Sequence, residues 1–144
     1  MPVTAKICGL SAPETLDAAI KSGASHVGFV FFPPSPRNVG FEQARSLIAR
    51  VPTHVGTVGV FVDPDEALLS AALATGIQAV QLHKTAPERA AAIRARVPVW
   101  AAVAIKTRAD IGQAAAYRGA ADRILYDAKT PDTAALPGGM SAMA

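Results

Sequence analysis

The feature that most constrains this chain is a strict alternation of short apolar runs with amphipathic segments. It recurs at about 24 residues from the second run onward, with no low-complexity linker between. The apolar runs predict strands over residues 3–8, 26–32, 54–62, 79–83, 99–105 and 122–127. The run at 26–32, His-Val-Gly-Phe-Val-Phe-Phe, is nearly continuous, as expected of a parallel strand covered on both faces. Helices are predicted between the strands. The first starts at Ser11-Ala12-Pro13-Glu14, with Ser11 as N-cap and Pro13 in the first turn, and Gly23 stops it after Lys21. The second covers 41–51 and closes at Pro52. The third begins at Asp63-Pro64-Asp65-Glu66 and ends near Gly76, the fourth covers 87–96, and Thr107 caps a fifth that reaches about Gly119. Pro33-Pro34-Ser35-Pro36-Arg37-Asn38 fits neither helix nor central strand and reads as an extended loop.

Such alternation requires a parallel sheet with right-handed crossovers. Two architectures satisfy it: an open doubly wound sheet, or a (β/α)8 barrel, which takes ~200 or more residues. The chain has 144 residues and supplies about six strands and five helices before Leu136-Pro137-Gly138-Gly139-Met140. Length alone favours the open sheet. The absent last helix makes the chain read instead as one domain over residues 1–144, a (β/α)8 TIM-barrel type with two β-α units missing.

Composition narrows the function classes. A single cysteine leaves no intramolecular disulfide, and no Cys/His set has zinc-like spacing, so neither a metal nor a cofactor is expected. Residues 1–6 lack the charged start and apolar run of a signal peptide, and no apolar stretch reaches the ~18–20 residues that span a bilayer, so a cytoplasmic protein with no membrane partner is expected. The formal charge of +3 is spread along the chain, which argues against nucleic acid and fits an anionic small molecule equally well. Phosphate-loop, dinucleotide-fold and nucleophile-elbow motifs are all missing.

In either architecture ligands bind beyond the carboxyl ends of the strands. There the sequence sets Cys8 and Gly9, then Ser35 to Arg37, Asp63, His83 and Lys84, Lys106, and finally Asp127 and Lys129. Each has a plain structural alternative. A lone strand cysteine is most often a small buried hydrophobe. Asp127 could cap a following element, although a carboxylate ending Ile-Leu-Tyr is a costly placement unless solvated or used. Arg37 could be a surface arginine, yet three prolines brace its loop, which suits holding a guanidinium toward a carboxylate. His83 could be a hydrogen-bonded rim histidine, and Pro137-Gly138-Gly139 only a turn. Strand alternation points Lys6 and Cys8 to the same side, and a thiol facing a carboxyl across a pocket points to proton transfer.

Lys6-Ile7-Cys8-Gly9-Leu10, Gly28-Phe29-Val30-Phe31, Ser35-Pro36-Arg37, Val58-Gly59-Val60-Phe61-Val62, Gln81-Leu82-His83 and Leu125-Tyr126-Asp127-Ala128 occur in an order and spacing that closely resemble the phosphoribosylanthranilate isomerase family. The resemblance covers residues 5 to about 139 and implies a (β/α)8 barrel of tryptophan biosynthesis. It implies a cofactor-free Amadori rearrangement of a phosphorylated substrate, N-(5′-phosphoribosyl)anthranilate, with Asp127 as general acid and Cys8 as general base. It also sets Arg37 at the anthranilate carboxylate, His83 near the substrate, and Lys6 and Gly9 among the substrate-binding positions. Two departures stand out. The family usually has glycine where this chain has Lys84, and it continues past Gly138-Gly139 into two further strands whose loops hold the phosphate. The runner-up expectation is therefore an inactive barrel fragment that folds, or self-associates through unpaired barrel edges, without catalysis.

Overall fold

A computed structural model describes residues 4–128; Lys129 and the Pro137-Gly138-Gly139 turn lie outside the described residues. It contains one six-stranded sheet with strand order β1-β2-β3-β4-β5-β6, every neighbouring pair parallel. The strands are β1 (Lys6–Ile7), β2 (His26–Val30), β3 (Gly56–Val62), β4 (Ala79–His83), β5 (Val99–Ile105) and β6 (Arg123–Ala128). The helices between them are α1 (Pro13–Lys21), α2 (Phe41–Ile48), α3 (Glu66–Leu73), α4 (Pro87–Arg94) and α5 (Arg108–Gln113), the last continued by a 3-10 turn over Ala114–Tyr117. A doubly wound sheet reverses its strand order at a switch point. This one never does, so it is an α/β sheet of the (β/α)8 barrel type, with six strands among the described residues.

β4 and β5 have the bounds expected from the sequence. The other elements differ at their ends, where hydrogen bonding overrides the local pattern. β1 pairs with β2 over only two residues, and β2 stops at Val30 because the loop beyond it folds back. The N-cap of α1 is Ala12 rather than Ser11; Thr15 Oγ1 donates to the Ala12 carbonyl, and Pro13 takes the first helical position as expected. Asp65 caps α3 by accepting from Leu68 N at 2.8 Å. At α5 Thr107 holds the cap position, and the Asp110 carboxylate accepts from the backbone N–H groups of Lys106 (2.7 Å) and Thr107 (2.9 Å). Asp122 precedes β6 and ties it to β5, accepting from Val99 N at 2.8 Å and pairing with Arg94.

The main core lies between the sheet and its helices. Phe29, Phe31, Phe61, Leu16, Leu69 and Ile93 are fully buried there, each burial worth about 1.5–3 kcal/mol. Phe31 and Phe61 stack at 5.4 Å between ring centroids. The opposite, inner face is different. Val58, Ala79 and Trp100 form a small apolar cluster there with Leu125 beside it, and Val60 and Val62 share the face with polar Gln81 and His83. The two sheet edges among the described residues, β1 and β6, carry exposed Ile7 and Tyr126.

Three residues at strand ends have left-handed backbone: Gly9 (φ 76) after β1, Asp63 (φ 40) after β3 and Lys84 (φ 53) after β4. Each turns the chain sharply at the same rim. Glycine does this without strain, and aspartate tolerates it. A lysine side chain is strained in this backbone conformation. Lys84→Gly is expected to stabilise the fold by about 1 kcal/mol, read as a higher urea midpoint at unchanged slope; a lower midpoint would contradict the strain.

Candidate active site

Parallel register decides which side chains share the inner face. Residues opposite one another point the same way, so Lys6 and His26 fall on one row, and Gln81, Trp100 and Arg123 on another. Carried one step past Ile7↔Val27, the row of Cys8 runs through Gly28, Val58 and Ala79. Continued across β5, it meets β6 about six residues before Asp127. Alternation sets both Cys8 and Asp127 on the inner face, at the carboxyl ends of β1 and β6.

Cys8 is exposed, which sets aside the reading of a buried small hydrophobe. Its sulfur has room because β2 has glycine opposite: a Cβ on Gly28 would come within 3.1 Å of Cys8 Sγ. Lys6 Nζ donates to Cys8 Sγ at 3.7 Å and to Gln81 Oε1. It also lies 5.7 Å from the centre of the Trp100 ring. Gln81 Nε2 in turn lies 3.1 Å from His83 Nε2. A continuous polar chain therefore crosses the inner face from β1 to β4, from Cys8 through Lys6 and Gln81 to His83.

Arg37 reaches the same corner from the β2 loop. The loop is pinned by Ser35 N to the Phe32 carbonyl (2.8 Å), Arg37 N to Ser35 Oγ (3.1 Å) and Val39 N to the Val30 carbonyl (3.0 Å). The aliphatic part of Arg37 crosses directly over Gly9, where a Cβ would approach Arg37 Cδ to 2.7 Å. Gly9 is thus required twice, for its positive φ and for this close passage.

Burial lowers the pKa of Lys6, and the neighbouring Cys8 partly restores it. Burial also lowers His83, opposed by Asp127 and reinforced by Lys6 and Lys84. His26 is lowered by burial and by the nearby Arg123 and Lys6. Asp127 therefore lies close enough to His83 to act on its charge, which ties the carboxylate into the same group. The Lys106 backbone N–H serves the α5 cap. A cavity of about 350 Å³ between His26, Thr57, Gln78, Trp100 and Arg123 lies at the opposite, N-terminal end of the strands and is not this site. Among the described residues no group of three or more His, Cys, Asp or Glu gathers in a way that could hold a metal. No described helix is long and apolar enough to cross a membrane.

The sequence reading missed Gln81, Gly28 and Trp100. Gln81 had a signal: an amide inside Ala-Val-Gln-Leu-His, two residues before His83 and so on its face. Gly28 had one too, since glycine inside a strand marks close approach.

The family model for N-(5′-phosphoribosyl)anthranilate (PRA) isomerase matches residues 5–138. The isomerase of Zymomonas mobilis subsp. pomaceae is 51% identical over 144 residues, covering 97% of this chain and 67% of that protein. A solved phosphoribosyl anthranilate isomerase from Thermotoga maritima superposes with a TM-score of 0.83 at 37% identity, over 91% of this chain and 64% of that one. Another solved isomerase (TM-score 0.81, 36% identity, 88% and 66% covered) is in complex with reduced 1-(o-carboxyphenylamino)-1-deoxyribulose 5-phosphate. The chain spans about two thirds of the length of these relatives. It belongs to the N-(5′-phosphoribosyl)anthranilate isomerase family, the intramolecular aldose–ketose isomerases of tryptophan biosynthesis.

Proposed function

We propose that this chain binds N-(5′-phosphoribosyl)anthranilate, in the cytoplasm, and isomerises it at the rim between β1 and β6, with Asp127 as general acid and Cys8 as general base. The observation that carries the reading is an exposed thiol and a carboxylate on one face, the thiol linked through Lys6 and Gln81 to His83, whose charge Asp127 acts on. In the first step Asp127 gives its proton to the ribose ring oxygen. The C1–O bond breaks, and the anilino nitrogen lone pair forms the C1=N bond. In the second step Cys8 thiolate removes the C2 proton, and the electron pair moves into C1=C2 as the C1=N pair returns to nitrogen. The enolamine then takes a proton at C1 as C2 becomes the ketone. C1 is reduced and C2 oxidised within one molecule, so no external electron carrier is needed.

Several features support these roles. Lys6 Nζ stands against Cys8 Sγ, which sets a basic side chain beside the proposed base. Arg37 lies across Gly9, one residue from the thiol, where a planar guanidinium can pair with the anthranilate carboxylate in bidentate fashion. His83, lowered by burial, is neutral at pH 7 and can bond the substrate without adding charge beside Asp127. The close relatives disfavour the inactive-fragment alternative.

Cys8→Ala and Asp127→Asn are each expected to cut turnover by 100-fold or more, the order lost with one positioned acid or base. Loss of substrate fluorescence, with substrate made in place from anthranilate and phosphoribosyl pyrophosphate, measures this; full rates in both would sink the assignment. Arg37→Lys should raise KM about tenfold while kcat changes little, because a point charge cannot match the bidentate pair.

His83 also gives a pH dependence of stability. Its folded value is below the ordinary 6.5, so between the two the unfolded chain binds more protons. Stability is therefore full above about pH 6.5 and falls as pH drops through the folded value. Urea midpoints between pH 7.5 and about 5 should fall less steeply in His83→Gln than in the unsubstituted chain, and equal slopes would contradict this.

A further inference from the structure

We propose that Gln81 is a positioning residue for this site, holding His83 as the neutral tautomer with its proton on Nδ1 while anchoring Lys6 beside Cys8. The inference rests on the reading above and concerns a residue that reading leaves without a role. A lysine ammonium is donor-only, so the Gln81 atom that meets Lys6 Nζ is the carbonyl oxygen. The amide nitrogen is then the atom 3.1 Å from His83 Nε2. An amide NH2 has no lone pair to offer, so Nε2 must accept. A neutral imidazole that accepts at Nε2 carries its hydrogen on Nδ1. One amide thus transmits the orientation of the Lys6 ammonium on β1 to the protonation pattern of a ring on β4.

Geometry makes this restrictive. Gln81 and His83 are both buried, so neither has water as a ready alternative partner. Flipping the amide would set two donors face to face at Lys6, and the Nε2–H tautomer would set two donors face to face at His83. The charged groups acting on the ring are Asp127 from β6, Lys6 from β1 and Lys84 from the turn after β4. The groups around Lys6 are Cys8 on its own strand, Gln81 from β4 and the Trp100 face from β5. In this arrangement His83 offers an N–H donor at Nδ1 for a substrate oxygen.

The test is a two-bond nitrogen–proton correlation spectrum of the 15N-labelled chain at neutral pH, with His83→Gln used to assign the ring. The expected result is the Nδ1–H pattern. Gln81→Glu, which keeps the shape but replaces the amide donor with an acceptor, is expected to move His83 to the Nε2–H or doubly protonated pattern and to lower kcat/KM tenfold or more. An Nε2–H pattern in the unsubstituted chain overturns the proposal whether or not the variant folds. An unchanged pattern in Gln81→Glu, with the fold intact by circular dichroism, also overturns it. The spectrum needs no turnover. A wrong tautomer in an active chain defeats this inference alone, and full activity in Cys8→Ala with the expected tautomer defeats only the catalytic assignment.

Discussion

Everything in this molecule follows from the register of a singly wound parallel sheet. Each strand pairs only with its sequence neighbours, so every crossover helix lies on the same side. Alternation along the strands then separates two environments. One face meets the helices and carries Phe29, Phe31, Phe61 and the aliphatic core. The other faces inward and holds Lys6, Cys8, His26, Gln81, His83, Trp100 and Arg123 beside Val58, Val60 and Val62. A slip of one residue in any pair would exchange the two sets. Register is thus held by the large apolar face, and the chemistry of the inner face depends on it.

The inner face is expensive to maintain. Taking a lysine ammonium partly out of water opposes the charged form, and the lowered pKa of Lys6 expresses this. Three contacts offset it: the Cys8 sulfur, the Gln81 carbonyl and the face of Trp100. Arg123 and His26 meet the same indole, at 4.6 Å to its centre and 5.1 Å between ring centroids. Trp100 is therefore a shared apolar contact for the Lys6 and Arg123 cations and the His26 ring. The left-handed turn at Lys84 adds local strain at the rim. Stability stored between sheet and helices is what holds these unfavourable features in place.

Much of this was legible in the sequence because it depends on local rules. The apolar runs marked all six strands, and those of β4 and β5 to the residue, since both are bounded by turn-forming segments. The pairing of Lys6 with Cys8 follows from period-two alternation alone, and the proline-braced loop gave Arg37 its place. Helix ends were less legible. Ser11 has the side chain of an N-cap, but the Ala12 carbonyl begins the helix, because the cap position is set by where the chain leaves β1. Gln81 carried a signal, its place two residues before His83, but its partner Lys6 is set by neighbours across the sheet.

The sequence by itself determined the parallel β-α alternation and the short roster of rim residues, because alternation and strand-end chemistry are written in consecutive residues, and its ordered motifs carried the resemblance to the family. Only the tertiary structure decided how those residues are joined. Lys6 and Gln81 are 75 positions apart, and what makes them partners is three intervening strand registers and the stagger of the sheet. Hydrogen-bond direction, and with it the proton position on His83, is a property of that assembled chain, since a donor is assigned only when its acceptor is in place.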